Sequence, residues 1–203
     1  MNVRAMDKLI EHYNKYFGQD DCMVCHPEMD DGYHIDILVY PPNEKYPFWK
    51  LSTMGASDYK MPKCEGTLGR YNEYIMFVDK DADLSSMQIL DWYRSNLLMI
   101  ASFAYYNKVH ITYAHSFEWE NDDEDDEMVA AFIEMPQIIE DSGVLHCKTG
   151  LFKSVTCLQV VVLNRPELEM LFELGPEKFS LYLYPEEEGE VHFLTERHRS
   201  AKF

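Results

Sequence analysis

The chain is poor in positive charge: 18 lysines and arginines stand against 36 aspartates and glutamates, a formal net charge of −18. Such a surface repels phosphate backbones and anionic bilayers, so nucleic acid and membrane are excluded as partners. No apolar run is long enough to cross a bilayer. The start, MNVRAMDKLIEHYNKYFGQDD, intersperses charge with apolar residues and has no signal-peptide core. Five cysteines, an odd number in no regular framework, exclude a disulfide scaffold and point to a reducing compartment. The expectation is a mature, soluble, cytoplasmic protein. Glycine is also scarce, and the nine present build no Walker loop, no Gly-x-Gly-x-x-Gly and no Gly-x-Ser-x-Gly elbow; His-Glu-x-x-His is missing as well.

What is present suffices for a substantial core, since 46% of the 203 residues are hydrophobic. Val3, Met6, Leu9, Ile10, Tyr13 and Phe17 recur at helical spacing before Gly18, which predicts a helix with one apolar stripe. Strand patterns follow at Tyr33–Tyr40, Phe48–Thr53 and Tyr71–Val78, the first two separated by Pro41-Pro42-Asn43. Met54 to Gly69 has no period and reads as a long loop, a kind of segment that is often functional. A second helix is predicted behind Ser85 or Ser86, burying Leu90, Tyr93, Leu97, Ile100, Ala101 and Ala104. Strands are expected at Val109–Phe117 and Met128–Met135, and the near-continuous apolar run SVTCLQVVVL suits a strand covered on both faces. Asn164 and Glu167 resemble a capping signal for RPELEMLFELG, closed by Gly175, with PEKFSLYLY as a further short helix. This order, without repeats or a boundary, predicts one α+β domain over residues 1–203, with a mixed or largely antiparallel sheet packed with helices.

Several clusters carry potential chemistry. Cys22-Met-Val-Cys25-His26 spells the haem c attachment pattern, but covalent attachment normally requires export. A zinc site on Cys22, Cys25 and His26 would lack a second ligand pair, because Cys64, Cys147 and Cys157 are scattered. Neither metal nor cofactor is expected. In EWENDDEDDE, residues 118–127, eight of ten are acidic. An EF-hand glycine and spaced glutamate are missing, so the run reads as a solvated hairpin loop or, through Asp122, Asp123, Glu124, Asp125, Asp126 and Glu127, as a docking surface for a basic partner. His34 and Asp36 share one strand face, where they pair with each other or with loop backbone; with His115 they are also fragments of a hydrolase triad.

The segment HIDILVYPPNEKYPFWKLSTMGAS resembles the signature of the suppressor-of-fused family: a His-x-Asp strand, a proline turn, an aromatic residue and a Thr-x-Gly-x-Ser ending. DWYRSNLLMIASFAYYNKVHITYAHSF is similar to that family's helix and the following strand ending in a His-Ser step. LQVVVLNRPELEMLFELG is similar to its apolar strand and helix. One departure is Ala114, where the family commonly has glycine. The resemblance, from His34 to Gly175, implies a non-enzymatic protein-binding α+β domain. The compact length resembles bacterial members, many of which are inferred to be immunity proteins that neutralise toxins. It implies a protein partner, such as a basic toxin domain, and assigns partner-binding or loop-organising roles to His34, Asp36, Trp49, Thr53, Gly55, Ser57, His115 and Ser116. Tyr46, Trp49 and Tyr59 are expected either as exposed anchors around Thr53–Ser57 or as core. His34, Asp36, Thr53 and Ser57 are expected to hold the Met54–Gly69 loop by hydrogen bonds, with Gly55 supplying a backbone geometry closed to side chains.

Overall fold

A computed structural model describes residues 1–27, 32–67, 69–120, 127–185 and 191–197. Helix α1 (Val3–Phe17) opens behind Asn2, whose Oδ1 accepts the Ala5 N–H, and closes at Gly18, which takes a left-handed conformation. Then come β1 (Met23–Cys25), β2 (Asp36–Tyr40), β3 (Trp49–Met54), a 3₁₀ turn (Ala56–Asp58) and β4 (Asn72–Val78). Helix α2 (Met87–Asn107) precedes β5 (Ser116–Glu118), β6 (Met128–Glu134), β7 (His146–Lys148) and β8 (Ser154–Asn164). The described chain continues with α3 (Arg165–Leu174) and α4 (Pro176–Leu183). No described helix is long and apolar enough to cross a membrane.

The eight strands form one sheet in the order β1-β2-β3-β4-β8-β6-β5, with β7 paired to the start of β8. All pairings among them are antiparallel except β4 with β8. Strand parity sends alternate residues to two cores. Leu38, Tyr40, Ile75, Phe77, Val161 and Leu163 meet α1, α3 and α4 on one face. Ile37, Val39, Met76, Val78, Val160 and Val162 meet α2 on the other. Strand β8 is therefore apolar on both sides, as its sequence predicts. The six residues predicted for the buried face of α2 are the six it buries. The capping box of α3 is present, with Asn164 Oδ1 accepting the Glu167 N–H and Glu167 accepting the Asn164 N–H. Gly175 ends this helix.

Two expectations fail for physical reasons. The irregular stretch after α1 contains β1, and the segment before β8 contains β7; three residues each are too few to show a period. The strand expected over Val109–Phe117 is interrupted by a turn at Tyr113 and Ala114, so only Ser116–Glu118 joins the sheet. In this turn His115 Nδ1 accepts the Thr112 N–H at 2.8 Å, and Ala114 adopts φ 69°. Ala114 donates its N–H to the Ile133 carbonyl and His115 accepts from the Ile133 N–H, which holds the left-handed residue in register against β6. An alanine Cβ is strained there and a glycine is not. Ala114→Gly is expected to raise stability by about 0.5–1 kcal/mol, the strain relief exceeding glycine's greater freedom when unfolded. Chemical denaturation tests this, and an unchanged or lower midpoint would contradict the strain argument.

Candidate functional site

The turn after β3 is organised by a carboxylate that the sequence reading overlooked. Glu73 is fully buried on β4. Its Oε2 accepts from the Thr53 hydroxyl at 2.6 Å and from the Ala56 N–H at 3.2 Å. Its Oε1 accepts from the N–H groups of Gly55 and Ser57, each at 3.0 Å. Thr53 Oγ1 in turn accepts the Tyr74 N–H at 2.8 Å. Burial pushes the Glu73 carboxyl above the usual carboxylate range, while these donors pull it back. The signal for it lay in Glu73, Ile75 and Phe77: an acid at the buried parity of an apolar strand needs partners.

Gly55 has φ 130°, and a Cβ there would lie 2.3 Å from the His34 carbonyl oxygen. The turn thus packs directly on the backbone entering β2. Tyr33 secures the same junction by donating its hydroxyl to the Ala56 carbonyl at 2.6 Å. Thr53 contributes its hydroxyl to this turn, whereas Ser57 contributes its backbone N–H.

The side chains of His34 and Asp36 do otherwise. His34 Nε2 lies 2.7 Å from Asp36 Oδ1, and His26 Nδ1 lies 2.7 Å from the same oxygen. Among the described residues their side-chain partners are each other and His26; of the two arrangements the sequence allows, this is mutual pairing and not bonding to the Met54–Gly69 loop. The carboxylate of Asp36 is buried, whereas both imidazoles reach solvent.

The Cys22-Cys25-His26 set is divided by the sheet. Cys25 packs in the α2 core, while Cys22 packs on the α1 side against Tyr40. Residues three apart on a strand face opposite ways, so these thiols do not share a ligand. The hydrolase set is likewise not brought together. His34 and Asp36 lie at β2, while His115 and Ser116 lie at β5, the opposite edge of the sheet, with β3, β4, β8 and β6 between.

His115, Ser116, Phe117 and Trp119 instead wall a groove of about 400 Å³ against Met99 and Phe103 of α2. Burial and, after it, the neighbouring His110 lower the His115 pKa, with the Thr112 backbone opposing them; its Nδ1 accepts the Thr112 N–H. The ring of Phe103 stands edge-on to Phe117, with centroids 4.9 Å apart. Among the expected anchors, Tyr46 is core, whereas Trp49 and Tyr59 are half-buried against the α2-side cluster. Glu127 is exposed just before β6; the rest of the acidic docking run, Asp122 to Asp126, lies outside the described residues.

Together these features define an α+β domain whose polar centre organises a turn and whose far edge carries an open apolar groove. The chain belongs to the suppressor of fused protein (SUFU) family, whose pattern matches residues 31–195. No curated protein sequence matches it. The fold is similar to that of the Sufu chain or its counterpart in a Sufu–Fu complex, with TM-score 0.68 and 15% identity over 97% of this chain and 91% of the other. Drosophila Suppressor of Fused gives TM-score 0.67 and 15% identity over 98% of this chain but 51% of its own. A SUFU homologue from Neisseria gonorrhoeae gives 0.68 and 11%, over 98% and 97%. At these identities the likeness shows the fold alone.

Replacing Glu73 with Gln sets an amide NH₂ against N–H donors that need acceptors. Glu73→Gln is expected to cost about 2–3 kcal/mol, a charged acceptor in a buried network being lost. Urea unfolding should show a lower midpoint at unchanged slope; wild-type stability would show that the turn does not depend on this carboxylate.

Proposed function

We propose that this chain is a non-enzymatic protein-binding domain, and that it acts as a cytoplasmic immunity protein by occupying a basic toxin domain. The observation that carries this reading is the groove between α2 and β5. Met99, Phe103 and Val109 are exposed there and line one groove together, and contiguous apolar surface of this kind marks an interaction site where singly scattered residues do not. Phe117 and Trp119 supply rigid aromatic surface beside them. The strand forming this rim runs in sequence into the acidic stretch 118–127. An apolar groove on a chain of net charge −18 suits a basic protein: the groove gives affinity, and the charge speeds the encounter. Family membership supports binding as the activity, one similar structure being a complex of Sufu with Fu. The toxin itself is proposed on charge.

Occupancy makes protection stoichiometric. Titrating this protein against a basic toxin domain that co-purifies with it should abolish toxicity with a break near one to one, given tight binding. Met99→Gln, at an exposed α2 position lining the groove, should weaken protection while changing folded stability little. Neutralising Asp122–Glu127 should slow association and reduce its salt dependence, with dissociation changed less. Full protection at a small fraction of the toxin concentration would instead require turnover and overturn the binding reading.

A further inference from the structure

We propose that His26, His34 and Asp36 form a binding site for a divalent transition-metal ion of the Zn²⁺ type, which clasps edge strand β1 to β2. The ring nitrogens His26 Nδ1 and His34 Nε2 and one carboxylate oxygen of Asp36 all lie within 4.8 Å of one another. Among the described residues this is the group of three or more such side chains arranged to hold a metal ion.

Two features of the sheet create the convergence. His34 and Asp36 are two residues apart at the start of β2 and so project to one face. Strands β1 and β2 pair Met23 with Val39, Val24 with Leu38 and Cys25 with Ile37. One further step of that register sets His26 opposite Asp36, and cross-strand neighbours share a face. The backbone is held on both sides. Asp36 is paired with Met54 in the β2–β3 ladder, and Arg94 of α2 donates to the His26 carbonyl at 3.3 Å while pairing with Asp91.

The donor set selects the ion. Two imidazoles and one carboxylate match the three protein ligands typical of an open zinc site, whereas Ca²⁺ and Mg²⁺ prefer all-oxygen shells. Zinc bonds of about 2.0–2.1 Å in a tetrahedron separate neighbouring donors by roughly 3.3 Å. Each imidazole, now 2.7 Å from Asp36, would therefore back away by about half an ångström. The imidazoles have room to do so: the His26 and His34 side chains are 68% and 45% exposed, while Asp36 at 5% is the fixed point. Each nitrogen facing Asp36 presents a lone pair once its hydrogen resides on the other ring nitrogen. Coordination positions beyond these three are left to water or to a donor from a partner.

The test is a calorimetric titration of the chelator-stripped full chain with ZnCl₂, in excess Mg²⁺ to cover weak acidic sites. One Zn²⁺ per chain is expected, with a higher melting temperature on loading. His26→Ala and His34→Ala should each weaken binding at least tenfold, and the metal-free chain should stay folded in each, because Asp36 keeps the other histidine as a partner. Cys22→Ser, which would break a thiolate site, should bind as wild type. Absent binding, binding insensitive to both histidine substitutions, or binding abolished by Cys22→Ser would each overturn the assignment.

Discussion

One buried carboxylate fixes the geometry from which both faces of the molecule are arranged. Glu73 gathers the Thr53 hydroxyl and the N–H groups of Gly55, Ala56 and Ser57, and so turns the chain sharply out of β3. Those amides would otherwise be buried donors at the head of a 3₁₀ turn without acceptors, each a substantial cost. Because the turn is held, Gly55 rests on the His34 carbonyl and Ala56 receives the Tyr33 hydroxyl. The entry to β2 is thereby set, and with it the direction of His34 toward Asp36. Tyr33 also stacks on Tyr105 of α2 at 4.1 Å, which carries the same constraint to the helix that forms one wall of the groove.

The acidity of the chain has two physical roles. Asp36, Glu73, Glu134 and Glu167 are withdrawn from water, and each has named donors: histidines, a hydroxyl with three amides, the Met135 N–H, and capping-box partners. Burial of these acids is a matter of local architecture, and they contribute little to any field felt by a partner. The surface excess remains large, yet the groove between α2 and β5 is lined chiefly by Met99, Ile100, Phe103, Val109, Phe117 and Trp119. Apolar surface of this kind confers affinity on contact, while the surrounding field selects what arrives. The two act at different stages of association.

Much of the fold was legible because long periodic segments overdetermine their own conformation. The α2 stripe, the Asn164–Glu167 box and the two-sided β8 each carry several agreeing signals. The β1 and β7 strands carry three residues apiece, and their existence depends on neighbours distant in sequence. Ala114 shows the opposite limit: Val109–Phe117 has strand-like residues throughout, but the left-handed turn is imposed by bonds to Ile133 on β6. Local preference yielded to tertiary pairing there. At the site, Gly55 and Thr53 were readable from their chemistry, while Glu73 was concealed within an otherwise apolar strand 16 to 20 positions from its donors.

The fate of the cysteine pattern and the assembly around Asp36 follow from the same two-residue period. A Cys-x-x-Cys pair converges on one ligand when the chain turns or coils between its thiols. On an extended strand the odd separation drives Cys22 and Cys25 to opposite cores, whatever their affinity for a soft metal. An even separation keeps His34 with Asp36, and antiparallel register supplies His26 from the neighbouring strand. The histidine that completes the haem-like spelling therefore faces away from Cys25 and joins a carboxylate ten residues away. Ligand spacing has chemical meaning only once the backbone period is known; on a sheet, register can outweigh a motif that reads well in one dimension.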